Sequence, residues 1–264
     1  MAHSVWRILL QGTVGGGGGG GGGGFNTNTT PPSLGGGSGC RLYVAAGHGL
    51  YTDAGSTLAT AAGDVIRQWN DYSGNNNHLT QTNVGSRPTA GASAQMVFDS
   101  TVPTGQNLDV PGAVVTSVTD GELFGLIKLD AQPQSGPHSG GLWCFGGNDL
   151  GFYPLSTSIF EGSGTTGRYN FTAPSGLDSW HVYSVKTSGT NWDALKDNSA
   201  ISGSSHSANS ADWTAGGAAL YVGANRTLAH FLKGQIAAVV FYDGARSSGE
   251  RASIVAALLA QSPP

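Results

Sequence analysis

The sequence predicts an all-β sandwich of two antiparallel sheets with one short C-terminal helix, carried behind a glycine-rich N-terminal stem. Three observations predict it. Of the 264 residues only 11% are charged, against roughly 25% in a typical soluble domain, and 44 are glycine. Six Trp, eight Tyr and nine Phe are spread along the chain and need a core, which separates it from a disordered polymer of the same polarity. From Cys40 onward, strand and turn signals recur at short spacing, and a single helical signature stands near the C-terminus.

Taken in order, residues 1–14 carry one strand-like piece, Val5-Trp-Arg-Ile-Leu-Leu10, in which Val5, Trp6, Ile8, Leu9 and Leu10 supply the apolar surface. Ten consecutive glycines, Gly15 to Gly24, follow, and a second patch, Gly35-Gly-Gly-Ser-Gly39, closes a stem of residues 15–39. Polyglycine has nothing to bury and loses the most entropy on ordering, so it reads as a flexible tether. The alternative is a close-packed oligomeric stem of extended glycine helices. In either case residues 5–10 read as an anchoring strand able to join a partner's sheet. In the remaining chain, residues 40–264, strands are expected at Arg41–Ala45, Leu123–Leu129, Trp180–Val185, Leu220–Gly223 and Gln235–Tyr242. The last is apolar on both faces, as for a strand covered on both sides. Ser247 and Glu250 have capping-box spacing, and Ile254, Val255, Leu258 and Leu259 then fall on one helical face.

Composition excludes several functions. A net charge of −4 with no Lys/Arg cluster gives no stripe for nucleic acid. No apolar run approaches the roughly 20 residues that span a bilayer. The N-terminus lacks the apolar stretch and cleavage site of a signal peptide, so assembly in a cytoplasm is expected. Cys40 and Cys144 form neither a disulfide framework nor a metal knuckle and read as two separate thiols, at least one buried.

Several stretches together resemble the laminin-G-like branch of the concanavalin-A-like lectin/glucanase superfamily. Trp69, Asp71, Ser73, Gly74 and Asn77 match its W-x-D-x-S-G-x-x-N turn, with Arg87-Pro88 after it. Met96–Asp99 and Asn107–Val110 resemble its hairpin, although Ser100 stands where glycine is usual. Trp180–Val185 resembles the central strand, and Leu220–Asn225 with Phe231–Asp243 and Ser248–Arg251 resembles the closing strands and helix. The likeness spans roughly residues 40–261 and implies a concanavalin-A-like jelly roll. That fold hosts lectins, lyases, glucanases and structural modules, so it does not choose a function.

Candidate sites are weighed residue by residue. Retaining glycosidases of this superfamily set carboxylates on alternate positions of one strand, E-x-D-x-E, so that all face one way. Glu122, Glu161 and Glu250 are the only glutamates, and none has such partners. His181 and Tyr183 alternate onto one face, with Arg168 and Tyr169 before them, but such groups on a half-buried strand are ordinarily packing. Asp71 with Asn75, Asn76 and Asn77 offers oxygens to calcium, yet a polar turn explains them as well, so no cofactor is expected. Three aromatic loops suit stacking on a sugar ring: Asn148, Asp149 and Tyr153; Trp192 with Asp193; and Trp213 beside Asp212. Trp69 and Trp180 read as core.

These features lead to the expectation of a non-catalytic virion surface protein, a phage fibre, spike or decoration protein. Its head would bind host-surface polysaccharide, its N-terminus would join other virion proteins, and a homo-oligomer would supply avidity. The opening Val-Trp-Arg-Ile-Leu-Leu also resembles the start of some phage tail and fibre proteins. The alternative is a bacterial extracellular carbohydrate-binding module. The carboxylate count argues against a polysaccharide-degrading enzyme.

Overall fold

A computed structural model of the chain describes residues 25–101, 104–132, 140–146, 151–214 and 219–264. The anchoring strand with Val5, Trp6, Ile8, Leu9 and Leu10, and the run Gly15 to Gly24, lie outside the described residues.

Seventeen strands are described, nearly all short. In chain order they are β1 (Cys40–Ala45), β2 (Leu50–Tyr51), β3 (Gln68–Trp69), β4 (Leu79–Thr80), β5 (Thr89–Ala90), β6 (Met96–Phe98), β7 (Leu108–Val110) and β8 (Gly121–Leu129). Then come β9 (Trp143–Cys144), β10 (Phe152–Leu155), β11 (Ser158–Glu161), β12 (Tyr169–Thr172), β13 (His181–Ser188) and β14 (Asn191–Lys196). Finally β15 (Ser199–Ala200), β16 (Leu220–Val222) and β17 (Gly234–Asp243) lead to α1 (Ser248–Leu259). The five expected strands and the helix are all present, with small shifts at their ends.

The strands form three antiparallel sheets where two were expected. The largest has eight strands in the order β15-β14-β13-β8-β17-β6-β5, with β1 also paired to β17. A six-stranded sheet runs β2-β3-β4-β7-β16-β9, and a small one runs β10-β11-β12. One edge of β17 is shared end to end: β6 pairs with Gly234–Ile236 and β1 with Ala238–Tyr242. The bulge in the β17–β8 register falls between Ile236 and Ala238, where that partner changes.

Alternation along β17 sends Ile236, Val239 and Phe241 into one core and Ala238, Val240 and Tyr242 into another. The first core lies between the eight-stranded sheet and the two smaller sheets, and includes Trp69, Trp143, Ile159 and Phe171. The second lies beneath α1, where Ile254, Val255 and Leu258 meet Phe124, Val182 and Leu34. The capping box forms as expected: Glu250 N–H donates to Ser247 Oγ, and Ser247 N–H returns to the Glu250 carboxylate. Leu259 departs from expectation and is partly exposed.

α1 is pinned by a buried ion pair. Glu122 on β8 is fully buried and accepts from the Arg251 guanidinium and from Arg246 N–H. Residues 25–39, expected to be part of a free stem, are docked as a strap. Asn26 exchanges hydrogen bonds with the Leu50 backbone, and Thr27 bridges to His48. Leu34 enters the helix-side core, and Arg246 holds the carbonyls of Gly36 and Ser38. Gly36 is needed for this approach, because a Cβ there would stand 2.2 Å from the Tyr242 hydroxyl. The strap docks chiefly through backbone groups, which leave no mark on composition.

Replacing Arg251 by Ala strands a buried carboxylate and is expected to lower the unfolding free energy by about 3–5 kcal/mol. In urea denaturation, the double change Glu122→Gln with Arg251→Met should recover most of that loss. Equal instability of single and double variants would count against the pair as the helix anchor.

Candidate functional site

The inward face of β13 carries His181, Tyr183, Val185 and Thr187, because strand side chains alternate. Opposite it, the three-stranded sheet presents Tyr153 from β10 and Glu161 from β11, and β9 adds Trp143. Glu161 is almost fully buried yet fully engaged. One carboxylate oxygen accepts from Trp143 Nε1 and the Tyr183 hydroxyl, both at 3.1 Å; the other accepts from Gly162 and Ser163 N–H. Burial pushes the Glu161 carboxyl above the usual carboxylate range, and the donors from Ser163 oppose that. The Tyr153 and Tyr183 rings lie 4.5 Å apart, and desolvation holds both phenols well above their ordinary pKa.

Tyr153 continues the chain to His181, with 2.7 Å between its hydroxyl and Nε2. His181 Nδ1 is 2.8 Å from the Ser179 carbonyl, which can only accept. Nδ1 therefore carries the proton, Nε2 accepts, and Tyr153 donates. Burial holds this imidazole neutral and pushes its pKa down to about 4. The charges acting on His181 are Lys196, Asp197 and Asp178, and all three also line a surface.

Two hollows adjoin there, with Thr172, Ala173 and Ser175 common to both linings, and together they form a trench. One, of about 480 Å³, lies between the end of β12 and the β14–β15 hairpin and is lined by Thr172, Ser175, Lys196, Asp197, Ser199 and Ser202. The other, of about 470 Å³, is lined by Gln132, Ser156, Thr157, Thr172, Ser175 and Asp178. Asp197 and Asn198 sit at φ 49° and 66°, the left-handed pair required by the two-residue hairpin turn between Lys196 and Ser199. The Asp197 carboxylate accepts from Val182 N–H at 2.8 Å and pairs with Lys196 Nζ at 3.1 Å. The loop between the hollows is braced from below. Gln132 Nε2 donates to Pro174 O, Leu177 N–H donates back to Gln132 Oε1, and Ala173 N–H donates to Thr157 O. A third hollow, between the strap and Tyr43, Tyr72 and Tyr242, has its Tyr43 and Tyr72 hydroxyls already engaged by Pro32, Gln261 and Asn28.

The expected sugar platforms are elsewhere. Trp192 is fully buried, because it belongs to β14 and its inward register packs it under Tyr169, with Nε1 donating to Ser163 O. Trp213 is fully buried against Phe241 and donates to Thr187. Tyr153 is 2% exposed, inside the chain just described. None of these three can stack on a sugar. Asp193 stands on the opposite face of β14, paired with Lys186. Asn148 and Asp149 lie outside the described residues. Arg168, expected beside His181 and Tyr183, lies over the Phe160 ring, and Tyr169 stacks on His206. The Asp71 carboxylate is taken by Tyr43, Ser73 and Asn77 backbone N–H and the Ser73 hydroxyl, so this segment ties a turn to β1. Among the described residues no three His, Cys, Asp or Glu side chains are grouped to hold a metal, and no helix is long and apolar enough to cross a membrane. No disulfide joins Cys40 to Cys144. The trench residues escaped sequence reading because its acids come from a turn and a loop 19 positions apart.

No family model matches the chain, and no curated protein matches it. Among solved structures, the fold is similar to a Trypanosoma rangeli sialidase in complex with sialic acid, at 11% identity and TM-score 0.51. That likeness covers 83% of this chain and 33% of the sialidase. It is also similar to a GH54 α-L-arabinofuranosidase, at 15% identity and TM-score 0.52, covering 84% of this chain and 63% of that one. An arabinofuranosidase complexed with arabinofuranosyl-α-1,2-xylobiose matches at 14% identity and TM-score 0.52, over 84% and 62%. The chain thus spans about a third of the sialidase and three-fifths of the arabinofuranosidases. At these identities the likeness concerns the fold.

Two expectations are corrected here. The expected virion appendage has no counterpart among these neighbours, a sialidase and arabinofuranosidases, and the expectation of a non-catalytic chain is not kept, because the fold is one that these enzymes share. Acids on a loop and a turn, such as Asp178 and Asp197, fall outside the alternating pattern of a single strand.

The His181 assignment has a pH signature. The folded chain binds this proton less readily than the unfolded chain, whose imidazole titrates near 6.5. Stability from this group is therefore complete above about pH 6.5 and declines toward about pH 4, by up to about 3 kcal/mol. Glu161 acts with the opposite sign, so the comparison needed is urea stability of wild type against His181→Gln across that window. Parallel curves would remove His181 from the account.

Proposed function

We propose that this chain is a carbohydrate-active β-sandwich domain that holds a saccharide in the trench between β12, the β14–β15 hairpin and the 173–178 loop. The observation that carries the reading is the trench: a braced, hydroxyl-lined surface with one carboxylate in each hollow. The likeness of the fold to two kinds of glycosidase supports it. Hydrolysis of a glycosidic bond in most glycosidases uses two carboxyl groups, one as acid and one as base or nucleophile. Asp178 and Asp197 are the pair assigned to those roles.

A second reading, a saccharide-binding domain without its own hydrolysis, is favoured by one fact. The match takes in only a third of the sialidase, so the shared fold is a part of that enzyme.

Release of nitrophenol from 4-nitrophenyl glycosides, and of reducing ends from neutral oligosaccharides, separates the two. Hydrolysis that falls about 100-fold or more in both Asp178→Asn and Asp197→Asn, with the melting temperature held, supports the enzyme. Binding without product release supports the binding domain. Turnover unchanged in both variants excludes these carboxylates.

A further inference from the structure

We infer that the trench takes the interior of an uncharged saccharide chain, at least two rings long, and rejects acidic sugars; this rests on the carbohydrate reading proposed above. Charge decides the first part. Among the described residues, Lys196 is the only cation lining either hollow, and its ammonium is paired with Asp197 at 3.1 Å. Counted with Asp197 and Asp178, the lining side chains carry −1. Recognition of a sugar carboxylate calls for an unpaired cation, best the two-pronged guanidinium of arginine, and no arginine among the described residues lines the trench. An anionic sugar would lose its hydration and meet net negative charge. A neutral polyol meets the hydroxyls of Thr172, Ser175, Ser199 and Ser202, each able to donate and accept.

Shape decides the second part. Each hollow lies within the size range that holds a small ligand. The two share Thr172, Ala173 and Ser175, so the barrier between them is built of small side chains. A chain can pass over such a saddle, whereas a bulky residue there would make two closed pockets, each suited to a terminal ring. The saddle is held by Gln132 and Thr157, so occupying both sides needs little reordering of the loop, and each added ring adds contacts at low entropic cost.

The test uses the full chain in calorimetric titrations and in NMR, read at Thr172, Ser175 and Asp197. The probes are arabinose, arabinofuranosyl-α-1,2-xylobiose and other uncharged oligosaccharides, and sialic acid. The expected result is a neutral oligosaccharide binding at least tenfold more tightly than arabinose, with no saturable signal from sialic acid. Ser175→Trp, at an exposed position, should bring the oligosaccharide down to the monosaccharide level while leaving the melting temperature unchanged. Sialic acid binding at the trench as tightly as the neutral chain, or no gain with length, overturns this inference and leaves the carbohydrate reading standing. Silence toward every saccharide overturns both.

Discussion

Everything in this fold follows from one strand that cannot face water on either side. β17 places apolar side chains on both faces over ten residues, so each face must be covered, and each is covered differently. On one side two smaller sheets close the sandwich. On the other, α1 and the strap do the work, fastened by the Glu122–Arg251 pair and by Arg246. Its edges are equally committed: β8 takes one, and β6 and β1 divide the other at the bulge. The widest sheet grows outward from that arrangement, and its far end, β14–β15, becomes a wall of the trench.

The glutamates and the aspartates divide the labour. All three glutamates serve the architecture: Glu122 holds the helix, Glu161 gathers donors from three elements, and Glu250 caps α1. Of the acids that line the trench, Asp197 also serves the architecture through Val182 N–H and Lys196, and Asp178 stands on the loop. The buried series Glu161–Tyr183–Tyr153–His181 then has a clear purpose behind the trench. It joins the eight-stranded sheet to the three-stranded one with polar groups that fix their relative position, and so fixes the two walls on either side of Thr172.

How much of this was legible in the sequence depended on whether a feature is local. The capping box at Ser247 and Glu250 is an interaction three residues long, and it was read correctly. So was β17, whose apolarity on both faces needs no partner to be recognised. Trp192 shows the limit. Asn191-Trp-Asp193 has the composition of a loop, but the turn at Gly189 starts a strand there, and alternation sends the indole inward. The three-stranded sheet is hard to read because its strands are only four residues long and Pro154 stands within β10. The docked strap was missed because backbone amides and one asparagine do most of its binding. The trench was invisible for the same reason at longer range: the pairing of the hairpin with the 173–178 loop is decided by the sheets beneath them.

The strap carries a further consequence, which concerns force. The Tyr43 hydroxyl lies 3.0 Å from the Pro32 carbonyl and 3.2 Å from Gln261 Oε1, so one side chain of β1 ties the strap to the segment that follows α1. Tension applied to the strap and to the end of α1 would load this outer layer first. It would peel the strap from Tyr242 and α1 from Glu122 before any load reached the ladders of β17. The trench would keep its shape until the outer layer had already come away.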